Sequence, residues 1–178
     1  MNLYFSEQKH PLKSNVLTDG NIIVYNVQTP HKFMSAHSRS MITKFDGASR
    51  SYHLSDIELH NLHTDKVTCN GQQIPFSLSL MNTKLDFKAS DGNEYRWKLD
   101  TFGRGGMELV SVNSGSKIAV FDPGSSGLLS SHRPATLQIR TEQGVNIVDE
   151  IITTWAYFTK LWEEAAEAAA KAVDWGSD

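Results

Sequence analysis

The chain has 178 residues, of which 39% are hydrophobic and 21% are charged. This length and composition fit one domain with a sizeable core and argue against intrinsic disorder. The formal charge is −3, from 17 basic and 20 acidic residues. General nucleic-acid binding needs a dominant basic surface, so this balance argues against it. A single cysteine, Cys69, excludes an internal disulfide and a cysteine-rich zinc site.

We predict a single domain over residues 1–178, built in three parts. Residues 1–20 form an N-terminal segment without the basic start and apolar stretch of a secretory signal. Residues 21–144 form an antiparallel β body, and residues 145–174 form a C-terminal helix. The most apolar run, Ile151–Phe158, is far shorter than the roughly 20 residues of a bilayer span. Without a signal, and with a single thiol, the chain is expected to be soluble and cytoplasmic.

Alternation of apolar and polar residues predicts successive short strands in the body. In chain order the predicted strands are Asn21–Gln28, Ser38–Phe45, Ser51–Leu59, Lys66–Cys69, Gln72–Leu80, Lys84–Ala89, Tyr95–Asp100, Met107–Val112, Lys117–Phe121 and a last one around Leu137 and Ile139. The pair Asn70-Gly71 is typical of a two-residue type I′ hairpin turn. Pro75 weakens its strand or places it at an edge. Nine or ten such strands predict a mainly β (α+β) fold, a closed antiparallel barrel or a strongly curled sheet.

The pattern after Gly144 becomes helical, because apolar residues recur at three- and four-residue spacing over residues 147–173. Asn146 suits the N-cap, and Asp149 and Glu150 suit the positive end of the helix. The first half, through Trp162, is apolar enough to be buried on most sides. We predict that it lies in the barrel or caps it, and that the helix is polar after residue 162. The net charge is +2 over residues 1–148 and −5 from Asp149 onward, so it changes sign near the start of the helix.

Three strands in the body carry the most specific pattern. They read Tyr95-Arg96-Trp97-Lys98-Leu99, then Met107-Glu108-Leu109-Val110, then Lys117-Ile118-Ala119-Val120-Phe121. This order of strands, followed by an apolar helix, resembles the tubby-like C-terminal superfamily, which includes LURP-one-related and phospholipid scramblase domains. It also looks like small fungal proteins of unknown function assigned to that group. The resemblance covers about Asn21 to Trp162, and it implies a barrel around a hydrophobic helix and association with anionic lipid.

Basic residues gather on one predicted face of the body. If Lys84–Ala89 pairs with Tyr95–Asp100 through the Asp91-Gly92 turn, the polar faces of the two strands align. The candidate ligand-binding patch for anions consists of Lys84, Lys88, Arg96, Lys98 and, in the following loop, Arg104. Such a patch attracts phosphoinositide headgroups or another anionic partner. The alternative is a solubilising face with cross-strand ion pairs.

The remaining reactive residues form no recognisable catalytic or metal motif. His53, His60 and His63 lack metal-ligand spacing, and whether they converge in space is left open. Cys69 has no base fixed beside it, so we predict an inert, semi-buried thiol. The run Phe102–Gly106 is rich in glycine but lacks the lysine-serine ending of a nucleotide loop. We therefore assign no catalytic residue, no metal and no cofactor.

Together, the basic patch and the resemblance to the tubby-like group predict an intracellular, non-enzymatic binding domain for anionic lipid or phosphoinositide headgroups. We expect a monomer at the periphery of membranes, with an anionic membrane lipid or a protein as partner and with no transmembrane segment. One alternative is a carrier of a small apolar ligand in a lipocalin-like barrel, which needs an open interior. A second alternative is an enzyme whose site is assembled from residues distant in sequence.

Overall fold

The computed structural model describes residues 1–7, 9–29, 37–47, 50–60, 64–79, 83–100, 105–125 and 133–174, with the backbone alone at 37–38 and 171–174. Within these residues, strands and helices follow one another in a simple order. The strands are β1 (Asn2–Phe5), β2 (Asn15–Leu17), β3 (Ile23–Gln28), β4 (His37–Asp46), β5 (Arg50–His60), β6 (Lys66–Cys69), β7 (Gln72–Gln73), β8 (Phe76–Leu78), β9 (Lys84–Lys88), β10 (Glu94–Leu99), β11 (Met107–Ser111), β12 (Lys117–Asp122) and β13 (Thr136–Ile139). Helices α1 (Glu142–Asn146) and α2 (Val148–Asp174) follow, and a 3-10 turn lies at Pro11–Lys13.

The described strands form one antiparallel sheet in the order β7-β6-β5-β4-β3-β2-β1-β13-β12-β11-β10-β9-β8. Almost every strand pairs with its neighbours in sequence, as a succession of hairpins requires. The one long-range pairing joins β1 to β13, with Leu3 opposite Leu137. The prediction of a mainly antiparallel β fold with a C-terminal helix is confirmed. The sheet has thirteen strands within the described part of the chain, against nine or ten predicted.

Residues 1–20, predicted as a segment outside the β body, contribute β1 and β2 to the middle of the sheet. Leu3 and Phe5 are buried while Asn2 and Tyr4 are half-exposed, which is the alternation of a strand with one buried face. The β body therefore begins at β1 and ends at β13. The segment after it is helical from Glu142, because the Thr141 hydroxyl caps α1 by accepting a hydrogen bond from Gly144 N at 3.0 Å. Asn146, proposed as a cap, is the last residue of α1.

The predicted strand Gln72–Leu80 is divided at Pro75 into β7 and β8, the two end strands of the sheet. Pro75 therefore lies at an edge, as expected for a residue without an amide hydrogen. Ile74 N donates to Val67 O in β6 at 2.9 Å, and Pro75 O accepts from Lys88 N in β9 at 3.1 Å. Among the described residues β7 and β8 do not pair with each other, so the sheet is open in its hydrogen bonding. Nevertheless, only Ile74 and Pro75 connect β7 to β8, the two end strands of the sheet.

Turn chemistry fixes the hairpins that bound the candidate site. Asn70 and Gly71 both have positive φ, at 51° and 74°, and Cys69 pairs with Gln72. This is the two-residue type I′ turn that the sequence predicts. The turn between β9 and β10 is closed by Ala89 N donating to Asn93 O at 3.0 Å.

The first half of α2 fills the core. All nine residues from Ile151 to Thr159 are buried, none of them more than 3% exposed. A helix buried on every side needs apolar partners all round, and these come from strands spread across the sheet. The Trp155 ring lies 4.6 Å from Phe5 in β1 and 5.1 Å from Phe121 in β12, between centroids. The Tyr157 ring lies 4.9 Å from Phe76 in β8.

After Trp162 the helix leaves the core, and residues 165–170 are all exposed. This matches the predicted change from an apolar to a polar half. None of the helices in the described residues combines the length and the hydrophobicity needed to cross a bilayer.

The strand directions place one set of turns around the beginning of α2. Glu150, in the first turn of α2, accepts a hydrogen bond from Ser90 N in the turn between β9 and β10. The antiparallel order then places the turns Thr18–Ile22, Asn70–Gly71 and Val112–Ser116, together with α1, at this same end. We call it the starting end of the sheet.

Candidate functional site

Strands β9 and β10 carry the predicted basic residues on their outer face. They pair with each other, as predicted, with Lys84 opposite Lys98, Asp86 opposite Arg96 and Lys88 opposite Glu94. The alternate residues Leu85, Phe87, Tyr95 and Trp97 are buried. The sheet therefore brings Lys84, Lys88, Arg96 and Lys98 together on one surface, which we call the charged face. Arg104, the fifth predicted residue, lies outside the described residues.

Two acidic residues neutralise part of the charged face. Arg96 donates two hydrogen bonds to Asp86, from Nε at 2.6 Å and from Nη2 at 2.7 Å. Glu108 in β11 lies between Lys117, which donates to its Oε1, and Lys98, whose Nζ is 3.2 Å from its Oε2. The hydrogen bond from Lys117 is the main reason that the pKa of Glu108 lies below its usual range. Part of the charged face is therefore a network of cross-strand ion pairs, which is what the alternative interpretation as a solubilising face predicts.

Lys84 and Lys88 are not neutralised in this way. Both are exposed, and neither forms an ion pair with any residue in the described ranges. Lys84 faces Lys98 directly across the two strands, an arrangement of like charges that destabilises a sheet. Lys88 faces Glu94 and lines a surface groove of about 330 Å³ together with Asp86, Pro75 and Phe76. An anion placed here would relieve the repulsion between the lysines.

A second cleft, of about 310 Å³, opens at the starting end of the sheet beside the first turn of α2. Its lining includes Cys69, Ile74, Lys88, Asp149 and Glu150. Glu150 is 8% exposed, and its Oε1 accepts a hydrogen bond from Ser90 N at 3.1 Å. The sequence indicated these acids only as residues suited to a helix start. Their position in a cleft depends on contacts with strands far away in sequence.

Asp149 anchors α2 to two strands of the sheet. Its Oδ1 accepts from the Tyr25 hydroxyl at 2.7 Å, and its Oδ2 accepts from Lys44 Nζ at 2.8 Å. Burial, reinforced by the Asp149 charge, raises the pKa of Tyr25 well above its ordinary value, so the hydroxyl remains a donor. Both carboxylate oxygens are occupied, which makes Asp149 a structural anchor of the cleft wall.

Cys69 is more buried than predicted, at 5% exposure. Burial raises the pKa of its thiol, although the neighbouring hydroxyls of Thr153 and Ser55 oppose the shift. A raised pKa keeps the sulfur protonated and a poor nucleophile. The inert thiol that the sequence predicts is consistent with this environment.

The histidines that the sequence singled out do not form a metal site in the described residues. His53 Nε2 lies 2.8 Å from Asp56 Oδ2 on the exposed part of β5, and Arg39 shares the same carboxylate. His60 is seven residues further along the strand, which is roughly 23 Å away. His63 lies outside the described residues. No group of three or more His, Cys, Asp or Glu in the part of the chain described here is arranged to hold a metal ion.

Comparison with known proteins gives a family but no function. No curated protein and no solved structure matches the chain. Residues 9–164, which include every strand from β2 to β13 and the buried half of α2, match a family of unknown function, DUF6593. The chain therefore belongs to the DUF6593 family of unknown function.

Proposed function

We propose that the protein is a non-enzymatic binding domain, cytoplasmic and peripheral to membranes, whose charged face binds anionic lipid headgroups. The observation that carries this proposal is the direct opposition of Lys84 and Lys98. Glu108 shares its single negative charge between Lys98 and Lys117, so it compensates the positive charge of Lys98 only in part. Like charges across a strand pair cost stability, and natural sequences tend to break such local rules at functional sites. Lys88 adds a third cation on the same two strands and lines the adjoining groove.

The proposal includes a barrel of tubby-like architecture. The strand order supports it, because the strands run consecutively around the sheet and β1 pairs with β13. Among the described strands the only interruption falls between β7 and β8. Ile74 and Pro75 span it, with a hydrogen bond from Ile74 to β6 and one from β9 to Pro75. We infer that this segment closes the barrel without a strand pair.

The buried helix favours this function over the carrier alternative. A carrier needs interior space for its ligand, whereas Ile151–Thr159 are buried against strands from several parts of the sheet. In the described residues, the cleft beside Glu150 and the groove beside Lys88 are lined partly by exposed residues. Ligand contact is therefore expected on the outside of the sheet.

Co-sedimentation with vesicles tests the proposal. The full chain should pellet with phosphoinositide-containing phosphatidylcholine vesicles more strongly than with phosphatidylcholine alone. Because each cation near an anionic surface contributes about 1 kcal/mol, the double variant Lys84→Gln, Lys98→Gln should bind phosphoinositide vesicles about thirtyfold more weakly. Equal pelleting of the wild-type chain with both kinds of vesicle would contradict the proposal.

A matched control separates the charged face from total charge. Lys9 and Lys66 are also exposed and lie outside β9 and β10. Replacing these two lysines removes the same total charge as replacing Lys84 and Lys98. The variant Lys9→Gln, Lys66→Gln should keep the affinity of the wild-type chain at low salt within about threefold. Loss of binding equal to that of the Lys84, Lys98 variant would show that binding depends on net charge and has no defined site.

A further inference from the structure

The starting end of the sheet exposes apolar side chains. Among the described residues, seven large hydrophobic side chains are exposed: Met1, Ile22, Ile23, Met41, Tyr52, Val112 and Val145. Single exposed hydrophobics are common and need no explanation, so their position decides whether they matter. All of them except Met41 lie at or near the starting end.

Five of these side chains follow one another along the sheet. Ile22 and Ile23 lie at the turn between β2 and β3, and Met1 precedes β1. Val145 lies on α1, which follows β13, and Val112 lies in the turn between β11 and β12. The strands β3, β2, β1, β13, β12 and β11 are consecutive neighbours in the sheet. At about 4.8 Å per strand they form an arc roughly 24 Å long, which we call the apolar rim.

The apolar rim is close to electrically neutral. Arg140 and Lys117 are exposed beside it, and so are Asp19 and Glu142. The Met1 ammonium adds one positive charge and donates a hydrogen bond to Ile139 O at 2.9 Å. Asp19 also accepts a hydrogen bond from the Tyr4 hydroxyl at 2.7 Å, which fixes the base of the β2–β3 turn. Binding at the apolar rim is driven by burial of apolar area, whereas binding at the charged face is driven by the positive charge of its lysines.

The shape of the apolar rim favours a lipid interface as its occupant. Its side chains stand on four separate parts of the chain, the residue before β1, the β2–β3 turn, α1 and the β11–β12 turn, and Ile22 is 56% exposed. A stable protein interface needs roughly 800 Å² of continuous, complementary surface on each partner. A bilayer interface is fluid, so it accommodates separate apolar protrusions, and arginine or lysine beside them reaches the headgroups.

We propose that the apolar rim inserts into the interfacial layer of a membrane, and that Ile22 and Ile23, at the β3 end of the rim, make the principal contact. This surface is distinct from the charged face on β9 and β10. Its membrane contact resists salt, because burial of apolar area is not screened. The two surfaces can therefore be tested separately.

Insertion is measured on the full chain with small phosphatidylcholine vesicles at about 0.5 M salt, where screening confines charge interactions to roughly 4 Å. The wild-type chain should pellet under these conditions. The variant Ile22→Ser, Ile23→Ser should bind at least about tenfold more weakly. Met41→Ser replaces an exposed hydrophobic side chain in the middle of β4 and should bind like the wild-type chain.

An environment-sensitive dye reports insertion directly. Cys69 is buried, so Ile22→Cys and Met41→Cys variants take an NBD label at the introduced thiol. On addition of the vesicles, the emission of the label at position 22 should shift to the blue, and that at position 41 should not. If the double serine variant fails to fold, as judged by its thermal melt, Val145→Ser takes its place because it lies on a different element.

The outcomes keep the two proposals apart. Absence of pelleting with neutral vesicles, or absence of a blue shift at position 22, overturns insertion of the apolar rim and leaves the charged face in place. A protein partner for the apolar rim would give this same negative result with vesicles. Salt-resistant binding that the Ile22, Ile23 variant loses, without any preference for phosphoinositide, supports the apolar rim and contradicts the charged face.

Discussion

Replacing Asp149 by alanine should destabilise the protein more than replacing any other acidic residue at the starting end. Asp149 accepts hydrogen bonds from Tyr25 and from Lys44, so the variant removes the partner of both. Tyr25 is 3% exposed, and the orphaned hydroxyl would cost about 1–3 kcal/mol. Breaking a fully buried ion pair costs about 3–5 kcal/mol, but the Lys44 side chain is 28% exposed and water screens part of that cost. We expect a total loss of about 3 kcal/mol.

Urea unfolding followed by tryptophan fluorescence measures this loss. A double-mutant cycle with Lys44→Met isolates the ion pair, and its coupling energy should be about 1–2 kcal/mol. Asp46→Ala, an exposed carboxylate at the end of β4, is the matched control and should change stability by less than about 0.5 kcal/mol. A loss below about 1 kcal/mol for Asp149→Ala, or a coupling energy near zero, would refute the role of Asp149 as the anchor of α2.

Three further predictions concern a carboxylate, a thiol and a glycine. The pKa of Glu108 is lowered by Lys117, so the carboxylate stabilises the fold above its unfolded pKa, and this contribution is lost as the pH falls through its folded pKa. Glu108→Gln should therefore be less stable than wild type at pH 7 in urea unfolding, and the difference should disappear as the pH falls through the folded pKa of Glu108. Cys69 should react with Ellman's reagent only upon unfolding, because burial both shields the thiol and raises its pKa. Rapid reaction of the native protein would contradict this assignment of an inert thiol. Gly144→Ala should lower the thermal midpoint of unfolding, because a Cβ at this position would lie 2.8 Å from Ile139 Cγ2. Gly47→Ala is the control and should melt like wild type, because a Cβ there meets nothing within 4 Å.

Local patterns in the sequence account for most of the sheet. Alternation in β9 and β10 fixes which residues face outward, and the turn between them fixes the register, so the charged face was predictable. Asn70-Gly71 and Pro75 likewise act within a few residues of their own position. The strands β1 and β2 were missed because they are only four and three residues long and because β1 pairs with β13, more than 130 residues away.

The remainder of the candidate site depends on the order of strands in space. Glu108 forms an ion pair with Lys98 only because β11 lies beside β10, and Asp149 reaches Lys44 only because α2 starts next to β4. The apolar rim is likewise invisible in the sequence, where Ile22 and Val145 are more than 120 residues apart. Propensity and periodicity describe each element separately, and they do not give the neighbours that elements acquire in three dimensions.

The burial of α2 also has a consequence for how the protein is made. The residues Ile151–Thr159 fill the core, yet they are synthesised after all thirteen described strands. Until the helix leaves the ribosome, nothing covers the apolar faces of the hairpins. In addition, β1 cannot pair with β13 until β13 has been synthesised. During this time the nascent chain exposes apolar surface and unpaired strand edges. Nascent proteins in this state aggregate and bind chaperones. Cooperative folding is then expected to start only when the helix is released, after all the described strands have been synthesised.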